Sequence, residues 1–344
     1  MICHNVLYRL SIFLITIIVI GCSTGDEASE QIAEGRDPIE FTTSAINASR
    51  AGNTYINTTE FTTGSQIGVF GFYTGQSVWS TSATANFMFN ECVDKVSDGS
   101  WGYAPIKYWP NQTNDKVTFY GYYPYGGVGI TLASTNTSPG LPALTFEVQE
   151  LSENHVDFML SELEENEMHI TSSPSQTSVN YKVLLKFHHI LSKIILKVKD
   201  ESTGVFLQPN QFAVTIIGWY YQGTCKTVTD NPWGCEWTDL RKPKNFTTSY
   251  SNDAEDEQEM ELQQIMLLIP GKLDEGMDPK IRFSYTLDNV AWVETPEMSL
   301  NEASLKTWEP GMVYTYVYHI SQQGNNLSVK VNPWYQSGLV FTNP

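Results

Sequence analysis

Trp308-Glu-Pro-Gly-Met-Val-Tyr-Thr-Tyr-Val-Tyr318 is the stretch that decides the fold class. Trp-X-Pro-Gly reads as a tight turn, because proline presets φ and glycine admits the conformation that follows it. Beyond Gly311 the side chains alternate. Val313, Thr315 and Val317 oppose Tyr314, Tyr316 and Tyr318, which is the period-2 pattern of a half-buried strand. A second run follows, with Leu327, Val329 and Val331 opposing Ser328 and Lys330, and it closes at Asn332-Pro-Trp334. The two runs read as a β-hairpin with Trp308 capping the core.

The same period recurs outward from this hairpin. Ile281, Phe283, Tyr285 and Leu287 oppose Arg282, Ser284 and Thr286, while Phe212, Val214 and Ile216 form another set and Val117-Thr-Phe-Tyr120 begins another. Residues 181–199 are long for one strand. Their apolar phase slips from Val183, Leu185, Phe187 to Ile194, Leu196, Val198, so a bend, bulge or short turn near Ser192 is expected. No helical period lasts three turns. The class is all-β, read as two β-sandwiches with Greek-key-type connections. The expected division lies near residue 205, at the polar turn Glu201-Ser-Thr-Gly204, with domains at 38–205 and 206–344. Two acidic stretches make poor strands and read as solvated loops. One is 161–179, with Glu162, Glu164, Glu165 and Glu167; the other is 251–261, with Asp253, Glu255, Asp256, Glu257, Glu259 and Glu261. The second lacks the Asp-X-Asp-X-Asp-Gly order of a calcium loop.

The N-terminus carries an export signal. Arg9 is followed by the uncharged run Leu10–Ile20 and then by Gly21-Cys22, a charged region, an apolar region and a small residue at the cut. The run is short of the roughly 20 residues that span a bilayer. A cysteine directly after the cut marks a lipoprotein signal, with residues 1–21 removed and Cys22 acylated. Residues 22–37 are small, polar and acidic and read as a flexible tether. The mature chain, residues 22–344, loses only Arg9, and its formal charge moves from −18 to −19. Such a surface repels phosphate backbones, so nucleic acid is not an expected partner.

Aromatic residues make up 12% of the chain and supply much of the core. Cys92, Cys225 and Cys235 remain after Cys22, and whether Cys225 and Cys235 are joined is open at this level. There is no Gly-X-Ser-X-Gly elbow, His-Glu-X-X-His pair, phosphate-binding glycine loop or Cys-X-X-Cys pair. No catalytic residue, cofactor or metal site is expected. His188-His189 is the one histidine cluster; adjacent strand residues face opposite ways, so one is expected to pack inward beside Phe187 and the other to face out. Sugar recognition is the alternative to a structural role. It requires aromatics such as Trp79, Trp219, Tyr220 and Trp233 to line an exposed platform.

An ordered series of motifs resembles the fimbrillin family of Gram-negative anaerobes, the Bacteroidales-type major and minor fimbrial subunits. It begins with Tyr103, Lys107, Tyr108, Trp109 and Pro110, and Phe119-Tyr-Gly-Tyr-Tyr-Pro124 follows. Phe187-His-His-Ile-Leu-Ser-Lys-Ile194, Leu267-Leu-Ile-Pro270, Trp308-X-Pro310-Gly311 with Tyr314 and Tyr316, and finally Trp334 complete it. The resemblance covers about residues 38–335. It implies transthyretin-like sandwiches, a lipoprotein precursor held in the outer membrane, and polymerisation by strand exchange into a surface fimbrium that supports adhesion. It also implies a surface arginine-specific protease and other fimbrial subunits as partners. Under that implication Arg50 in Ser-Arg-Ala is the preferred cut and Arg36 the second. A cut after Arg50 releases Ile39–Ile46 and leaves unpaired edges. Residues 335–344 then supply a candidate donor strand, with Leu339 and Phe341 on one face and Val340 on the other.

Overall fold

The alternation around Tyr314 is realised as a buried stripe. Tyr314, Tyr316 and Tyr318 are each 1% exposed or less, and they lie on a strand hydrogen-bonded to its hairpin partner from Met312↔Pro333 to His319↔Asn326. The computed structural model describes residues 37–45, 61–112, 114–169, 182–227, 235–241, 243–248, 264–273, 278–303 and 305–334. Among them the chain is all-β. In order, the strands are β1 (Glu40–Ala45), β2 (Gln66–Gly75), β3 (Met88–Lys95), β4 (Trp101–Gly102), β5 (Lys116–Tyr123), β6 (Ile130–Leu132), β7 (Leu144–Glu147) and β8 (Met159–Ser161). There follow β9 (Glu164–Met168), β10 (Lys182–His189), β11 (Ser192–Asp200), β12 (Val205–Phe206), β13 (Phe212–Trp219), β14 (Gln222–Thr227), β15 (Cys235–Arg241) and β16 (Lys244–Thr247). The rest are β17 (Gln264–Leu268), β18 (Gly271–Lys272), β19 (Lys280–Thr286), β20 (Trp292–Glu294), β21 (Met298–Ser299), β22 (Thr307–Trp308), β23 (Met312–Ile320) and β24 (Asn326–Pro333).

The first sheet has eight strands in the order β1-β10-β8-β5-β2-β3-β4, with β9 beside β5. Its central strands are apolar on both faces, which is why Ile67-Gly-Val-Phe-Gly-Phe72 and Val117-Thr-Phe-Tyr120 read as continuous runs. Ile67, Val69, Val117, Phe119, Val183, Leu185 and Phe187 share one core. Phe70, Phe72, Tyr120, Tyr122 and Leu160 enter another. Gly68 is required where it stands, because a Cβ there would overlap the Tyr122 ring.

The second core is the interior of a sandwich. One sheet runs β12-β11-β23-β24 with β17 beside β11, and the other runs β16-β13-β19-β20 with β21 beside β19. Ile194, Leu196 and Val198 of β11 and the three tyrosines of β23 share this core with Phe212, Val214 and Ile216 of β13 and with Ile281, Phe283 and Tyr285 of β19. Phe283 stacks on Tyr318 at 4.8 Å between centroids. Leu287, expected on the inward face, is 54% exposed, because β19 ends at Thr286. Trp308 is fully buried, donates from Nε1 to Tyr316 Oη at 3.1 Å and meets Trp219 edge-on at 4.7 Å. It is the cap that its turn motif implies.

The phase slip at 181–199 marks a change of sheet. β10 ends at His189 and pairs with β1 and β8, whereas β11 begins at Ser192 and pairs with β17 and β23. Strand 192–200, placed before the expected division near residue 205, therefore bonds to strands on the far side of it. β7 also crosses that line, pairing with β14 in a four-stranded sheet, β15-β14-β7-β6. We propose Ile190-Leu191 as the point of division, which β11 no longer crosses and the β7–β14 ladder still does. Cys225 and Cys235 are disulfide-bonded across β14 and β15, and both are buried.

The acidic stretch beginning at 161 is corrected by the structure. Glu164–Met168 is not a loop but strand β9, antiparallel to β5. Its acidic side chains are tolerated because they lie at the sheet surface, where Lys186 meets Glu162 at 3.1 Å and Glu164 at 3.4 Å. Residues 251–261 lie outside the described residues.

Candidate functional site

The most distinctive arrangement is built around β1. It lies at the edge of the eight-stranded sheet, parallel to β10, in register from Glu40↔Lys182 to Ala45↔Phe187. Every other pairing in that sheet is antiparallel. A parallel neighbour cannot be reached through a tight hairpin, so β1 is placed by tertiary contacts. The alternation sends Ile39 and Phe41 inward, where they are 1% and 2% exposed. Phe41 meets Phe119 edge-on at 5.6 Å and Tyr103 at 5.7 Å. On the outer face, Glu40 pairs with Lys182 at 3.2 Å, an exposed contact worth little by itself.

A clasp closes over this strand, and it comes from the aromatic block at 101–109. Tyr103 Oη donates to Ile39 O at 2.9 Å, the Ile39 amide donates to Lys107 O at 2.8 Å, and Trp101 Nε1 donates to Thr43 Oγ1 at 3.2 Å. Burial pushes the Tyr103 hydroxyl up to about 12, so it stays a donor. Trp109, 1% exposed, packs edge-on against Phe119. Without β1, the open edge of β10 and a trough lined by Tyr103, Phe119 and Trp109 would face solvent. Such an edge is a template for another strand.

Beyond the part of β10 paired with β1, both histidines turn out to be buried, His188 at 8% and His189 at 2% exposure. The expected outward-facing member is absent because each ring meets a carboxylate. His188 Nε2 lies 2.9 Å from Glu162 Oε1, and His189 Nδ1 lies 2.8 Å from Asp157 Oδ1. Burial raises the Glu162 carboxyl, but hydrogen bonds from His188 and Lys186 outweigh it and hold the group below its ordinary value. His189 stacks flat on Trp334 at 4.0 Å, and Lys193 Nζ lies 5.7 Å from the same indole. Burial pushes the Lys193 amine down to about 8, with Asp157 acting the other way. Trp334 is thus fixed to the end of β10, the strand that carries β1.

Several expected site residues fall elsewhere. Cys22, Arg36, Arg50, Leu339, Val340 and Phe341 lie outside the described residues. Of the aromatics named for a sugar platform, Trp219 is fully buried, Tyr220 is 9% exposed and Trp79 is half-buried; Trp233 lies outside the described residues. Trp219 Nε1 donates to Ile269 O at 2.8 Å, so even its polar atom is committed to the core. Sequence reasoning passed over Trp292, which is 52% exposed on β20.

No curated protein matches the chain. Among solved structures, it is similar to a candidate cell adhesion protein of Bacteroides uniformis, with 20% identity, a TM-score of 0.56, and coverage of 88% of this chain and 99% of the other. A fimbrial protein of Bacteroides vulgatus has 18% identity and a TM-score of 0.50 over 86% of this chain and 99% of its own. A second candidate cell adhesion protein, from Bacteroides ovatus, has 15% identity and a TM-score of 0.53 over 88% and 99%. At these identities the likeness is one of fold. The family model described as fimbrillin-like matches residues 49–334, a stretch that takes in the clasp, β10 and Trp334. The chain belongs to the fimbrillin-like family.

Proposed function

We propose that this chain is a fimbrial structural subunit that supports cell adhesion and is exported as a lipoprotein acylated at Cys22. Its assembly follows a surface arginine-specific cut, after Arg50 in preference to Arg36. The cut removes β1 together with the lipid, and residues 335–344 of another subunit take its place. The role is structural, not enzymatic, and the partners are other fimbrial subunits at the outer surface.

The observation that carries this reading is the seat of β1. An edge strand whose only ladder partner among the described residues is β10, clasped by Tyr103, Lys107 and Trp101 and with Ile39 and Phe41 as its buried anchors, is the kind of element a second chain can replace. The anchors are two residues apart, as are Leu339 and Phe341. A donor with that spacing would present the same two apolar groups to the trough. The conserved geometry would be the period of a strand, which needs no sequence identity between donor and displaced segment.

The test uses the chain from Cys22 to Pro344, treated with an arginine-specific protease. The expected product begins at Ala51 and runs as heat-labile ladders, and deletion of residues 337–344 abolishes the ladders while leaving the monomer folded. Unchanged ladders after that deletion would refute the donor assignment. A chain that remains intact at Arg50 and Arg36 yet still polymerises would refute the trigger.

A further inference from the structure

The outer face of the sheet β16-β13-β19-β20 has no role in the assembly just described. Ile281, Phe283 and Tyr285 of β19 point into the sandwich, so Arg282 and Ser284 stand on the opposite face. The register adds Thr215 beside Arg282, Thr247 beside Thr215, Glu294 beside Ser284, and Trp292 beside Thr286. This face is therefore polar, with Trp292 as the one large ring at its margin among the described residues. Trp292 makes no ring contact or hydrogen bond among the described residues, and Arg282 makes no ion pair there. An uncommitted guanidinium is notable in a chain with a formal charge of −18. The neighbouring cation differs, since Lys280 lies 3.5 Å from Glu297.

The backbone that leads to the ring is braced by its turn. Asp288 Oδ1 accepts from the amides of Val290 and Ala291, each at 2.9 Å, and from Thr286 Oγ1 at 3.1 Å. Trp292 follows directly. An exposed aromatic on a braced hairpin loses little freedom when it is covered.

We propose that this face binds an oligosaccharide bearing a carboxylate, with Trp292 stacking on one sugar ring and Arg282 taking the carboxylate of another. Four residues separate Arg282 from the position opposite Trp292, about 13 Å at 3.3 Å per residue, so the ligand is longer than one sugar. Glu294 and Ser284 lie between them and accept and donate to hydroxyls. Charge selects the ligand: a planar guanidinium matches a carboxylate in bidentate geometry.

The experiment uses the unprocessed monomer, so a negative result here leaves strand exchange untouched. Oligogalacturonate, a hyaluronan tetrasaccharide and sialyllactose are titrated by calorimetry, alongside methyl-esterified oligogalacturonate and lactose. At least one carboxylated probe is expected to bind, with Trp292→Ala and Arg282→Gln each weakening it about tenfold or more and the ester binding correspondingly less well. Both positions lie at the surface, and unchanged melting verifies the fold of each variant. Three results would overturn the proposal: no binding of any carboxylated probe at millimolar concentration, binding insensitive to both substitutions, or equal binding of the ester. Self-association lost in Trp292→Ala, without saccharide binding, would reassign the patch to a second copy of the chain.

Discussion

Replacing Phe41 with alanine tests whether β1 is held by its buried side chains or by backbone pairing. The ring is 2% exposed and lies against Phe119 and Tyr103. Truncating a buried phenylalanine costs about 3–5 kcal/mol, part from lost transfer energy and part from the cavity left behind. The edge-on contact with Phe119 belongs in that figure at about 0.5–1.5 kcal/mol. Thr42, one residue on and facing outward, is the control, and Thr42→Ala is expected to cost about 0.5 kcal/mol or less. Because β1 is an edge strand, part of the deficit should appear as local opening before global unfolding. Two assays separate these: urea unfolding for the global figure, and amide hydrogen exchange in residues 40–45 and 182–187 for the local one. Phe41→Ala should lose protection in both segments while β2 and β5 keep theirs. A loss below about 1 kcal/mol with unchanged exchange would show that the ring is not an anchor. Removal of β1 would then leave no apolar trough to select a replacement strand.

Two further outcomes follow from the core. His155 is 1% exposed, accepts from the Leu267 amide at Nδ1 and donates from Nε2 to Gln149 O, both at 2.9 Å. Burial pushes it down from 6.5 to about 4, the Gln149 contact acting the other way. The folded chain keeps this ring neutral while the unfolded chain protonates it. Its contribution is therefore complete above about pH 6.5 and is lost as pH falls towards 4, up to roughly 3 kcal/mol; urea midpoints across that range should fall more steeply for the native chain than for His155→Gln. Gly68→Ala places a methyl group against the Tyr122 ring, which Asn90 holds through a 2.8 Å hydrogen bond. A cost of about 1–3 kcal/mol is expected, and combining it with Tyr122→Leu should cost less than the two changes added separately.

The strands were legible wherever one face is buried and the other wet. β13, β19 and β23 lie where alternation puts them, because period 2 is a local property of the chain. The change of sheet at Ile190-Leu191 also left a local trace, as a slip of apolar phase. Three features left none. β9 is rich in glutamate, and its strand character comes from pairing with β5 and from Lys186 on β10, both remote in sequence. The burial of both His188 and His189 depends on Glu162 and Asp157, more than twenty residues away. The seat of β1 rests on a parallel partner some 140 positions along the chain, from Glu40 to Lys182. Composition could say that tryptophans were plentiful, but not that Trp219 is buried and Trp292 exposed, since burial is decided by what packs above a residue.

The fixing of Trp334 to the end of β10 has an architectural consequence. The Gly311 amide donates to Leu191 O at 2.9 Å, the Trp334 amide donates to Gly311 O at 2.8 Å, and the indole lies on His189. Residues 190–191 and 334, the two ends of the described stretch that forms the sandwich, therefore lie side by side in a common doorway. A body whose two ends adjoin can vary its loops without shifting those ends relative to each other. In a polymer built by the proposed exchange, the spacing from a subunit's receiving trough to the root of its own outgoing strand would be set by β10 and this doorway. Loops and solvent-facing positions within 192–333 that do not pack on β7 or the first sheet would then diversify while the pitch of the fibre stayed the same.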